Sequence, residues 1–150
     1  MAVATYMLCM KQLAILCCLA MPAHAWEFTP GLPCLLSHET DEAAVELTYD
    51  PTAPLYSITI TRAAPWPDAP VFRMRFDGMA PLTISTDRQT FSADRRALTV
   101  IDRGFGNVLN GLQYNETASA LLGDTTVMFP LKGAEEPVAA FRACRPRAGA

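Results

Sequence analysis

Apolar and polar residues alternate along much of the chain, and the alternation places strands. Val45, Leu47 and Tyr49 fall on one side of an extended segment, with Glu46 and Thr48 on the other. Tyr56, Ile58 and Ile60 alternate with Ser57, Thr59 and Thr61. A period of two is the signature of a strand with one buried face. The intervening Asp50-Pro51-Thr52-Ala53-Pro54 is a turn by composition, so the pair reads as a hairpin. Phe72, Met74 and Phe76 then alternate with Arg73 and Arg75, and Leu82 and Ile84 with Thr83 and Ser85, across a bend at Asp77-Gly78. Leu98 and Val100 predict one more short strand, and Val127, Phe129 and Leu131 a last one.

Between those last two strands the period changes. Phe105, Val108, Leu109 and Leu112 are spaced as one face of a helix. Ala118, Leu121 and Leu122 read as a second helical face, stopped by Gly123. Glu135-Glu136-Pro137 with Val138 and Phe141 predicts a final short helix, its acidic groups at the positive end. The expected architecture is therefore mainly β (α+β). It is a small antiparallel sheet, curled or sandwiched, with two or three short helices toward the C-terminal half. One-faced alternation favours antiparallel over parallel pairing.

The N-terminus follows another pattern. Lys11 is the only charge before Glu27; an apolar run from Leu13 to Met21 follows, then Pro22 and Ala23-His24-Ala25. A basic residue, a short apolar stretch and a small-x-small site make an export signal. The predicted signal covers residues 1–25, with cleavage between Ala25 and Trp26, and Met7 and Met10 are alternative starts. The apolar run is shorter than the roughly 20 residues a membrane span needs. After cleavage no integral span is expected, and a single domain over 26–150 remains, periplasmic or secreted.

Export changes what the cysteines mean. Cys9, Cys17 and Cys18 leave with the signal, and the mature chain keeps Cys34 and Cys144. In an oxidising compartment an even count reads as a disulfide, here closing a loop of about 110 residues. The rival is a reactive thiol pair, but the spacing is not C-x-x-C and nothing nearby tunes a thiolate.

Charge and motifs narrow the function by exclusion. The formal net charge of -3 speaks against a nucleic-acid partner held by bulk charge. The chain has no Gly-x-x-x-x-Gly-Lys-Ser/Thr run, which excludes a P-loop nucleotide hydrolase. Gly104-Phe105-Gly106 opens a predicted helix, but Leu109 stands where a dinucleotide fingerprint needs its third glycine. His38 is the only histidine of the mature chain, and adjacent Ser37 and His38 point apart in a strand, which is unsuited to a triad. One histidine and two bridged cysteines do not make a zinc site. Glu39, Asp41 and Glu42 lack calcium-loop spacing and read as an exposed acidic loop. The sequence thus predicts no cofactor, no metal and no catalytic residue.

Two features remain as partner-binding candidates. Trp66 sits in the stiff Pro-rich segment Ala63 to Pro70, where an exposed aromatic would serve as an anchor. Arg73 and Arg75 would form a basic stripe if they share one strand face, and such a stripe suits an acidic partner or an anionic headgroup. Residues 26–61 carry six acidic groups and no base, so the basic residues lie further along the chain, where Arg88, Arg95, Arg96 and Arg103 could gather with that stripe.

The order of Trp26, Cys34, short strands, Gly106-Asn107-Val108-Leu109, Leu131-Lys132-Gly133-Ala134 and Cys144 resembles a group of small exported proteins of alphaproteobacteria. More loosely, the layout is similar to the invasion-associated locus B type of periplasmic protein. The resemblance implies an exported domain and carries over no catalytic residues. The expected function is a non-enzymatic exported domain that binds a protein or envelope partner. The alternative is an inhibitor of an exported hydrolase, acting through the Ala63–Pro70 loop.

Overall fold

The computed structural model describes residues 25–144. The predicted leader, apart from Ala25, and the tail after Cys144 lie outside the described residues. In chain order the elements are β1 (Glu27–Thr29), β2 (Cys34–Glu39), β3 (Ala43–Asp50), β4 (Leu55–Arg62), β5 (Phe72–Gly78), β6 (Leu82–Thr86), β7 (Thr90–Phe91), β8 (Ala97–Asp102), α1 (Gly106–Tyr114), β9 (Asn115–Leu122), β10 (Thr125–Pro130) and α2 (Glu135–Arg142).

The strands form two antiparallel sheets. One has six strands in the order β1-β2-β3-β4-β8-β7, and the other four in the order β10-β9-β5-β6. The predicted alternation sets the inner faces. Leu36, Leu47, Ile58 and Val100 stand opposite one another across the six-stranded sheet. Met74, Ala120 and Val127 do so across the four-stranded one. All are buried in one continuous core, so the architecture is a sandwich. The hairpin turn at 50–54 closes on Asp50, whose Oδ1 accepts from the Thr52 N–H at 2.8 Å and its hydroxyl at 2.6 Å.

The expected helix over Ala118–Leu122 is a strand. Ala118, Leu121 and Leu122 satisfy helical spacing, but Ala118, Ala120 and Leu122 also satisfy a period of two, and a place was open between β5 and β10. β9 fills it, bonded to a neighbour on each side. Gly123, at φ 57, is the turn between β9 and β10 rather than a helix stop. Ser37 and His38 lie in a strand as expected, and the expected acidic loop is corrected only at its start: Glu39 still belongs to β2. The other helices form as expected, and α2 brings Cys144 to Cys34, which form a disulfide with Cα atoms 6.6 Å apart.

The two long sides of the sandwich close differently. At the β1/β10 side Trp26 bridges the sheets, its indole N–H donating to the Pro130 carbonyl at 2.9 Å. Its ring stacks on His38 with centroids 4.8 Å apart, and His38 meets Phe129 edge to face. At the opposite side β7 is only two residues long and pairs with Leu98 and Thr99 alone. Among the described residues, the rest of this β8 edge, Val100 to Asp102, has no further strand beside it.

Candidate functional site

The structure separates the predicted partner-binding residues. Trp66 is not a surface anchor. It is 2% exposed, and its indole N–H donates to the Ile60 carbonyl at 3.1 Å, with Phe72 edge to face. The Pro-rich composition signalled an extended segment correctly but not which way the ring would turn. Burying an indole removes a large apolar area from water, and the Ile60 carbonyl satisfies its one donor. The 63–70 segment is strapped down over that ring. Arg95 donates to the Trp66 and Pro67 carbonyls at 3.3 and 2.9 Å, and Gln89 to the Pro70 carbonyl at 3.1 Å.

Arg73 and Arg75 do share a face. Both are exposed on the outer side of β5, because Phe72, Met74 and Phe76 take the inner one. In register, Arg75 stands between Thr83 of β6 and Ser119 of β9, and Ser119 is opposite Met128 of β10. Arg73 stands between Ser85 and Leu121. Met128 is exposed, whereas Ser119 is covered completely. Arg75 donates to Asp77 at 2.9 Å, an exposed pair that holds the guanidinium without cancelling the face. The outer face of the four-stranded sheet is thus a shallow row of two arginines, flanked by hydroxyls on one side and Leu121 and Met128 on the other.

Arg88 and Arg95 are employed elsewhere. Arg95 holds the strap and lies over the Phe91 ring, 4.1 Å from its centroid. Arg88 is ion-paired to Asp102. His38 is packed inward among Trp26 and Phe129, while Ser37 pairs with Glu27 and Glu46 on the outer face. That geometry separates the two members of the weighed Ser-His pair.

A second feature had no signal in the strand periodicity. Where β7 stops, a cleft of about 300 Å³ opens between the sheets, at the small end of ligand pockets. Ile58 and Val100 form one wall, Phe72, Met74 and Ile84 the other, and Phe105 and Val108 close one end. Its rim is polar, with Thr86, Asn107 and the Arg88–Asp102 pair. Asp102 also accepts the Arg103 N–H at 2.6 Å. That bond first, and the Arg88 guanidinium second, hold its carboxyl below the usual aspartate range. Only the pairing of β6 and β8 edges across the sandwich assembles this site. A clue is visible in sequence only as the brevity of the apolar pattern around Phe91. Compared with protein-family models, curated proteins and solved structures, the chain matches none.

Proposed function

We propose that the chain is an exported, non-enzymatic binding domain that engages a protein or envelope partner bearing acidic groups through the outer face of its four-stranded sheet. The observation that carries this reading is the placement of Arg73 and Arg75 side by side in the open, next to Leu121 and exposed Met128. Guanidinium groups beside apolar surface are the composition of a partner-binding patch. Export is supported by the leader-like first 25 residues and by the Cys34–Cys144 bond, which needs an oxidising compartment. No helix among the described residues is long and apolar enough to cross a membrane. The inward packing of His38 supports a role without acid–base chemistry.

The test is a photo-crosslinking amino acid at Thr83 or Ser85 in intact cells, followed by mass spectrometry. The expected result is a discrete partner whose adduct disappears in Arg73→Glu/Arg75→Glu. An unchanged adduct in that variant, or no adduct from this face when probes on the six-stranded sheet give one, overturns the reading. One observation favours the inhibitor alternative: the strap over Trp66 is rigid, and Pro65 and Asp68 are exposed at its crest. A pre-organised loop binds with little ordering cost. Inhibition of an exported hydrolase that is lost in Pro65→Gly/Asp68→Ala, with the Arg73/Arg75 variant fully active, would select it.

A further inference from the structure

We propose that the cleft between β6 and β8 is a binding site for a small single-chain amphiphile with a carboxylate head, the chain between the sheets and the head at Arg88. This does not rest on the reading of the outer face. Phe72 and Met74, which wall the cleft, project from β5 on the side opposite Arg73 and Arg75.

The apolar half of the argument is the shape. A sandwich closes its core when both long sides are covered, as Trp26 covers the side at β10. Here the two-residue β7 stops short of Val100, and Val100, itself only 7% exposed, lines the cleft together with Ile84 of the β6 edge. The volume matches about ten waters at roughly 30 Å³ each. An apolar surround offers water few partners, whereas an aliphatic chain of about eight carbons fills it. Two-chain lipids are too large.

The polar half is the rim. Arg88 spends one Nη2 bond on Asp102 and its side chain is 62% exposed. A guanidinium has five N–H donors, so a forked acceptor still finds a bidentate partner there. Asp102 does not depend on Arg88 alone, because the Arg103 N–H also holds it. A carboxylate head can therefore share Arg88 without stranding Asp102. The first turn of α1, which borders the same rim at Asn107 and Val108, has no acidic residue and no side-chain cap, which favours an anion, whereas Asp102 at the same rim opposes one, so the head must approach Arg88 on the side away from Asp102. A cationic head has only the Asp102 carboxylate to meet, and Arg88 and the Arg103 N–H already engage it.

Calorimetric titration of the oxidised protein with octanoate, octan-1-ol and octyltrimethylammonium tests this. Octanoate should bind saturably at one site, about tenfold tighter than the alcohol, as expected for a partly solvated charge-assisted bond. The ammonium should not bind. Arg88→Ala should bring octanoate down to the level of the alcohol while lowering the unfolding midpoint only slightly, since the pair is near the surface and Asp102 keeps the Arg103 N–H. Ile84→Trp, on an edge strand that tolerates a large β-former, should fill the cleft and abolish binding of both. The proposal is overturned if octanoate gives no saturable binding, if the ammonium binds as well as octanoate, or if either variant binds octanoate like the parent.

Discussion

Gly111 sets how close α1 lies to the sheets. A Cβ on it would stand 2.4 Å from the Phe76 ring, and Phe76 is fully buried, so neither group can yield cheaply. Gly111→Ala should therefore cost about 1–3 kcal/mol, the range for overpacking, despite the better helix propensity of alanine. Urea unfolding measures it, and Phe76→Leu should return part of the loss. An alanine variant as stable as the parent would show that the helix does not sit where described. Three aspartates at or near the surface act on the same scale. Asp50 is held below its usual range by the Thr52 hydroxyl and then the Thr52 N–H, Asp94 by the Ser92 hydroxyl and then the Arg96 N–H, and Asp102 by the Arg103 N–H and then Arg88. Each folded-state pKa lies below the unfolded one. Their contribution is thus complete above the unfolded value, near 4, and is lost as pH falls through the folded value. The melting temperature should drop between about pH 5 and pH 2, and less steeply in Asp94→Asn/Asp102→Asn. Parallel acid profiles for parent and variant would exclude these groups as the source.

At the scale of elements, the junction between α1 and β9 is where local spacing and tertiary demand part. Asn115 ends the helix and starts the strand. Its Nδ2 donates to the Ala80 carbonyl at 2.8 Å and the Gly111 carbonyl at 3.1 Å, and its Oδ1 accepts the Ala80 N–H at 3.0 Å. The side chain thus ties the β5–β6 connection to the end of α1. Asn115→Ala should cost roughly 0.5–1.5 kcal/mol, because the exposed Ala80 groups can turn to water and only the Gly111 carbonyl is part-buried. Hydrogen exchange should show faster exchange at Ala80. Loss of protection at distant β3 instead would point to a different role. The strands of the β3–β4 and β5–β6 hairpins were legible because each partner lies next in the sequence and the turn residues are local. β9 was not, because its inward residues Ala118 and Ala120 are small and fit both periods. The proposed binding face was legible in part: alternation alone puts Arg73 and Arg75 together, but not Leu121 and Met128 beside them, since those come from β9 and β10.

For the whole molecule, the disulfide joins β2 to Cys144, two residues past the end of α2, across a sequence separation of 110. Such a loop constrains the unfolded chain strongly, by about 4–5 kcal/mol on the chain-entropy account. Replacing both cysteines with alanine, or reducing the bond, should lower unfolding stability by about 2–5 kcal/mol. Equal denaturation midpoints for the oxidised and reduced protein would show that packing of Val138 and Phe141 already secures α2. The sandwich also explains why one side is open: Trp26 reaches Pro130 and closes one side, while the described residues supply only Thr90 and Phe91 as β7 to the other.

Sequence alone determined the strand-dominated class, the antiparallel hairpins, the pairing of Cys34 with Cys144 and the outward placement of the paired arginines. Each follows from a period, a local turn or a count. Tertiary structure decided what those local rules leave degenerate: that Ala118–Leu122 extends, that Trp66 turns into the core, and that an apolar gap remains between β6 and β8. All three depend on which surfaces meet across the two sheets, and such meetings are long-range in sequence, so no window of neighbouring residues contains them.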